Sequence, residues 1–144
     1  MIEPRRSLIR QSFASQEREE PLNGDGFGDL IVGAYFANTV TGYSYVVFGG
    51  AGGFAADIDL SGLNGSTGFR LDGTAIGDLS GRAVASAGDV NGDGYGDVIV
   101  GADGYNNGQS YEGRAYVYLG AASGLSAAPS WTAESDQTDA FFGE

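Results

Sequence analysis

Asp89-Val-Asn-Gly-Asp-Gly-Tyr-Gly-Asp-Val-Ile-Val-Gly-Ala102 is the stretch on which the reading of this chain turns. Asp89, Asn91, Asp93, Tyr95 and Asp97 stand at alternate positions, with Gly94 between the third and fourth of them. That is the spacing of positions 1, 3, 5, 7 and 9 of an EF-hand-like loop, with glycine at position 6. Calcium takes six to eight hard oxygens, so a short loop must turn an oxygen inward at every second residue. Asp89, Asn91 and Asp93 each offer a side-chain oxygen. Tyr95 offers its backbone carbonyl, so its side chain is expected to be free to vary. Gly94 supplies a turn with positive φ that other residues resist. Asp97 closes the set, through one or both carboxylate oxygens. The chain then continues into the β-prone run Val-Ile-Val, not the exiting helix and position-12 glutamate of a true EF-hand.

The same pattern occurs twice. Asn23-Gly-Asp-Gly-Phe-Gly-Asp-Leu-Ile-Val-Gly-Ala34 matches Asn91–Ala102 at a distance of 68 residues. Downstream, Gly42-Tyr-Ser-Tyr-Val-Val-Phe-Gly49 aligns with Gly113-Arg-Ala-Tyr-Val-Tyr-Leu-Gly120, and Gly53-Phe54 with Gly124-Leu125. Gly81-Arg82 has its counterpart in Gly143-Glu144. A fixed period of this length marks a repeat architecture. The first loop differs at one place: Pro21 stands at position 1, leaving Asn23, Asp25, Phe27 and Asp29. With one carboxylate fewer, it reads either as a weaker calcium site or as a turn that holds no metal.

Between the loops lie short β-prone runs bounded by Gly, Asn or Asp: Asp29–Val32, Tyr43–Phe48, Arg82–Ser86, Asp97–Val100 and Arg114–Leu119. No segment after residue 20 sustains a helical period, and 26 glycines imply many tight turns. Each period holds about four strands, too small a sheet to bury both faces alone. Such sheets stack on their neighbours, as propeller blades do. The expected organisation is an N-terminal extension at 1–20, disordered or a short helix. A first repeat occupies 21–80, lacking its first strand, then a second 81–140, with the opening of a third at 141–144. The terminal sheet faces are expected to associate with other repeats.

Composition narrows the chemistry. There is no Cys, His or Lys, and 7 Arg stand against 19 acids, a net charge of −12. Residues 1–20 hold four Arg and four Glu, so the whole excess falls after them. Thiolate and imidazole chemistry is excluded, as are the usual zinc, copper and iron ligands. Oxygen-only ligands suit Ca²⁺ or Mg²⁺. The acidic surface repels nucleic acid and anionic lipid. No run approaches the ~20 apolar residues of a membrane span, and no signal peptide is visible in the first 20 residues. Without His or Lys no side-chain base activates a serine, and the glycine spacing at Gly24–Gly28 is not a dinucleotide fingerprint. Paired carboxylates can hydrolyse glycosides, but these are better explained as metal ligands. Tyr43, Tyr45, Tyr116 and Tyr118 read as packing between sheets, and Trp131 as a blade-edge residue. Asn64-Gly-Ser66 fits an N-glycosylation pattern that is common by chance.

Asp89–Asp97, the Gly33-Ala34 and Gly101-Ala102 pairs and the terminal Phe142-Gly143 resemble the FG-GAP repeat of integrin α-subunit propellers and of bacterial surface proteins. Three features depart from it: Ser80-Gly81 where Phe-Gly is usual, Asp103 in place of the proline of Gly-Ala-Pro, and residues 1–20. The resemblance implies an all-β fold, a partial β-propeller of about two four-stranded blades out of seven. It also implies calcium in the loops of some blades and an extracellular or cell-surface setting. The role it implies is non-catalytic adhesion or binding of a protein or carbohydrate ligand. The alternative it leaves open is an accessory propeller of a secreted phospholipase or glycosidase.

Overall fold

The computed structural model describes residues 20–144, so the expected N-terminal extension lies outside the described residues except for Glu20. Among the described residues, seven strands form two antiparallel sheets. Sheet one holds β1 (Leu30–Ala34), β2 (Tyr43–Val47) and β3 (Gly68–Asp72), in that order. Sheet two holds β4 (Val84–Gly88), β5 (Asp97–Ala102), β6 (Arg114–Tyr118) and β7 (Trp131–Glu134). Among the described residues, helical structure is confined to one turn at Ala37–Val40, with Asn38 and Thr39 in left-handed conformations, and a 3₁₀ turn at Leu60–Gly62. The glycine-rich, β-branched sequence leaves little room for anything longer.

The two sheets share one pattern of pairing. β1 and β2 align Ile31 with Val46 and Gly33 with Ser44; β5 and β6 align Ile99 with Val117 and Gly101 with Ala115. Because side chains alternate along a strand, each sheet has two distinct faces. Ile31, Val46, Phe69 and Leu71 lie on one face of sheet one. Val98, Val100, Tyr116 and Tyr118 lie on one face of sheet two. These two faces meet in a single core, joined by Leu22 and, at its margin, by Leu125. Tyr116 is 2% exposed, so the aromatic pair of β6 packs between sheets as its period-2 spacing predicts. Tyr43 and Tyr45, expected to pack between sheets as well, are half-buried on the far face of sheet one.

The glycines of the repeat seal this interface. Gly81, at φ +87°, crosses over Gly33, and a side chain at Gly33 would collide with the Gly81 carbonyl. The Gly81 N–H donates to the Gly101 carbonyl at 2.9 Å, and Gly101 N–H to the Ala83 carbonyl at 2.9 Å. The start of blade two is thus fastened to both blades. Gly143 crosses Gly101 in the same way, and Gly113 pairs with Phe142. Ser80 takes the usual phenylalanine position and is buried, its N–H bonded to the Thr41 carbonyl at 3.0 Å.

Candidate metal-binding loops

Each candidate loop runs directly into a strand that begins at or just after its last aspartate. In the second loop, Asn91 Oδ1 accepts the Asp93 N–H at 3.2 Å and Asp93 Oδ1 accepts the Tyr95 N–H at 3.0 Å. The Asn91 amide donates to Asp93 Oδ2 at 2.9 Å. The first loop repeats this geometry: Asn23 Oδ1 accepts from Asp25 at 3.1 Å, and Asp25 Oδ1 from Phe27 at 2.8 Å. Asx turns of this kind form because a short side-chain oxygen can reach a backbone N–H two residues on.

Position 1 separates the loops. Asp89 gathers three N–H groups: Gly92 at 2.7 Å and Asp93 at 3.1 Å on Oδ1, and Gly94 at 2.8 Å on Oδ2. Those donors, the Gly94 N–H foremost, hold its carboxyl below the usual carboxylate range. Pro21 has no such side chain. Its carbonyl accepts the Gly24 N–H at 3.2 Å and, from the other loop, the Gly96 N–H at 3.2 Å. The two loops therefore lie side by side. Tyr95 fills the space over Gly24, where a Cβ would strike its ring. Its side chain is not free to vary, as the ligand pattern alone suggested; it packs one loop on the other.

Position 9 has a structural part that spacing could not reveal. Asp97 is fully buried; its Oδ2 accepts the Val90 N–H at 2.7 Å and its Oδ1 the Gly120 N–H at 2.8 Å. Asp29 makes the same two bonds, to Leu22 at 2.8 Å and Gly49 at 2.9 Å. Each ties its loop to the far end of the neighbouring strand. Burial pushes the Asp29 carboxyl up against the opposing effect of those two N–H groups, and Asp25 nearby adds to the rise.

The donor set fits a hard cation. It is all oxygen, with three carboxylates in the second loop and two in the first. An oxygen that accepts one N–H keeps a lone pair for a metal; for Asp89 that oxygen is Oδ2, since Oδ1 already accepts two. The site-building residues are not drawn tightly together, however. Among the described residues, the group of three carboxylates with oxygens within 4.8 Å of one another is Glu112, Glu134 and Asp136. Of these, Glu134 pairs with Arg114, which lies over the Tyr105 ring at 4.1 Å. Glu112 beside it is fully buried and accepts the Asn107 N–H. Hydrogen bonding from Asn107 and Arg114 holds the Glu134 carboxyl low. Nothing in the local sequence signalled this knot, because its members come from three separate segments.

Two stacked antiparallel sheets, each carrying an Asx-folded acidic loop and joined by crossing glycines, define a β-repeat module of the propeller class. The FG-GAP repeat model matches residues 22–47 and 80–118. Integrin alpha-6 of Gallus gallus is 32% identical over 142 residues, 94% of this chain and 12% of that protein. Phosphatidylinositol-glycan-specific phospholipase D of Mus musculus is 37% identical over 118 residues, 77% of this chain and 13% of that protein. Integrin alpha-IIb of Mus musculus is 34% identical over 115 residues, 79% of this chain and 11% of that protein. The chain belongs to the FG-GAP repeat family, and its sheets are those of a partial β-propeller. It spans about an eighth of the length of these relatives. No helix among the described residues is long and apolar enough to cross a membrane.

Proposed function

We propose that this chain is a calcium-binding, non-catalytic propeller module of a secreted or cell-surface protein, serving adhesion or the binding of a protein or carbohydrate ligand. The observation that carries this reading is the second loop, folded around Asp89 with Asn91 and Asp93 in register and no nitrogen or sulfur donor available. Asp89, Asn91, Asp93 and Asp97 would hold the ion through side chains and Tyr95 through its carbonyl. Asn23, Asp25, Phe27 and Asp29 would form the weaker site. The chemistry calcium supplies is charge neutralisation: it removes the repulsion among clustered carboxylates and so favours the folded state by mass action.

Thermal unfolding in calcium and in chelator tests this. At calcium one hundred times its Kd, the folded state gains about 2.7 kcal/mol, a rise in Tm of roughly 5–10 °C for a chain of this size. Asp93→Ala is expected to abolish most of that rise, and Asp25→Ala to leave most of it. A wild-type Tm that ignores calcium sinks the proposal.

The phospholipase D relatives support a second reading, an accessory propeller of a secreted hydrolase. In that case the reacting residues would lie on another part of the polypeptide. A catalytic domain in the same reading frame would favour the hydrolase, and further repeats the adhesive protein.

A further inference from the structure

The end of sheet two opposite the Asp89–Asp97 loop gathers a second set of acids. Glu112 closes the connection from β5 to β6, Glu134 ends β7, and Asp136 lies two residues beyond it. One carboxylate oxygen from each lies within 4.8 Å of those of the other two. The strand register sets this place apart from the loop. β5 starts at Asp97 and ends at Ala102, which pairs with Arg114, and Arg114 pairs with Glu134. Five steps along a strand separate the two ends by roughly 17 Å. An ion held by the loop is too far away to coordinate here.

Clustered acids at a surface need no ion, because water solvates them. Glu112 has no such recourse. It is fully buried, and only one of its two oxygens is satisfied: Oε1 accepts the Asn107 N–H, while Oε2 has no hydrogen-bond partner. Asn107 holds Glu134 as well, its side-chain amide donating to Oε2 at 2.9 Å. Both carboxylates are thus fixed by one residue, with the second Glu112 oxygen left over between them. A charged oxygen taken out of water without a partner is costly. Arg114, two residues on, is committed to Glu134 and to the face of Tyr105. Three carboxylates against one guanidinium leave two negative charges to be neutralised.

These acids are not part of what the blade needs in order to fold. By repeat and register, Glu112, Glu134 and Asp136 correspond to Thr41, Asp72 and Thr74 of the first blade. There the single carboxylate, Asp72, is paired with Arg70. The same sheet is therefore built without the cluster.

We propose that Glu112, Glu134 and Asp136 bind a hard divalent cation, calcium or magnesium, at a site separate from the acidic loops. Each acid supplies one oxygen, the unpartnered Glu112 Oε2 among them, and water completes the six to eight positions of calcium or the six of magnesium. Arg114 offsets one of the three charges, so this site fills at a higher concentration than the second loop. Bound there, the ion ties the β5–β6 connection to the exit of β7. The proposal does not rest on calcium binding by the loops.

Amide NMR of the full chain, titrated separately with calcium and with magnesium, tests it residue by residue. Saturable shifts are expected at Asn107, Glu112 and Ser135, at concentrations above those that move Asp93 and Gly94, and the ion that produces them is the one bound. Asp136→Asn is expected to remove the response at Asn107 and Ser135 and to leave that of Asp93 and Gly94. Asp136 is exposed and has φ 55°, a conformation asparagine adopts readily, so this variant keeps the fold. Glu112→Gln, which retains an acceptor for the Asn107 N–H, is expected to lose the same response. No saturable shift at Asn107 and Ser135 with either ion up to about 10 mM, beyond the weak end of calcium modules, overturns the proposal, and means that Arg114 or water satisfies Glu112. An undiminished response in Asp136→Asn also overturns it. A response here without one at Asp93 and Gly94 would count against the loops alone.

Discussion

Asp97 and Asp29 each tie a loop to the strand beside it through two backbone N–H groups. A carboxylate expected to face a cation also accepts a backbone N–H on each of its oxygens, from Val90 and Gly120 for Asp97. Asp97→Ala leaves two donors without a partner, one of them buried, at a cost of about 2–5 kcal/mol. Urea unfolding in chelator is expected to show that loss; a variant with wild-type stability there would make Asp97 a metal ligand alone. The alternate carboxylates were legible because their spacing is local. The two-ended tie of Asp97 was not, because Gly120 lies 23 residues away and nothing in the chain names it as a partner. Tyr118 offers a second residue-scale test. Burial, with Tyr116 and Asp72 adding to it, pushes its hydroxyl up to about 12 from 10.0. The folded state therefore keeps a proton that the unfolded chain has lost. Stability is unaffected below pH ~10 and falls above it by about 1.4 kcal/mol per pH unit, until the folded pKa is passed. Tyr118→Phe is expected to flatten this alkaline limb and leave neutral-pH stability nearly unchanged. An identical limb in the variant would assign it to other tyrosines.

At the scale of elements, the strands that carry the repeat could be read and those that close each sheet could not. β1, β2, β5 and β6 are β-branched runs bounded by glycine, and they sit within two residues of their expected places. β4 begins two residues later than Arg82, because Gly81-Arg82 is drawn into the crossing over Gly33 and the ion pair with Asp103. β3 and β7 were implied by the expected four strands per period but had no named segment. As outer strands they carry exposed residues such as Arg70, Asp72 and Trp131, which blur the alternation. The paired glycines, by contrast, were visible as a motif whose reason appears only in three dimensions. Gly33 lies under Gly81 at the junction of the sheets, whereas Gly101 lies under Gly143 near the chain end. Adding a methyl at either place forces a backbone to move, and overpacking of this kind costs roughly 1–3 kcal/mol. Gly33→Ala is expected to lower the Tm, because it parts two blades. Gly101→Ala is expected to release residues 141–144 at smaller cost, seen as faster amide exchange at Phe142 and Gly143. Equal losses from the two would mean that the crossings do not differ in what they hold together.

The whole molecule is governed by charge as much as by its core. The three arginines of the described residues are already engaged, Arg70 with Asp72, Arg82 with Asp103 and Arg114 with Glu134. They stand against 15 acids after residue 20, so most of those carboxylates have no cationic partner among the described residues. Self-repulsion on that scale opposes the compact state, and it is screened by salt over a distance of about 10 Å at 0.1 M. In chelator, raising sodium chloride from low to moderate concentration is therefore expected to raise the Tm, without a saturation point set by a particular site. Calcium should act differently. Held at constant ionic strength, its effect is expected to appear at far lower concentration, to saturate, and to vanish with Asp93→Ala while the salt effect remains. If calcium and sodium gave superimposable curves at equal ionic strength, the acidic loops would be part of the general field and not binding sites. If the salt effect were absent and the calcium effect intact, the repulsion relevant to folding would be concentrated in the loops alone. The first outcome removes the metal from the function of this module; the second makes the loops the main electrostatic control of its stability.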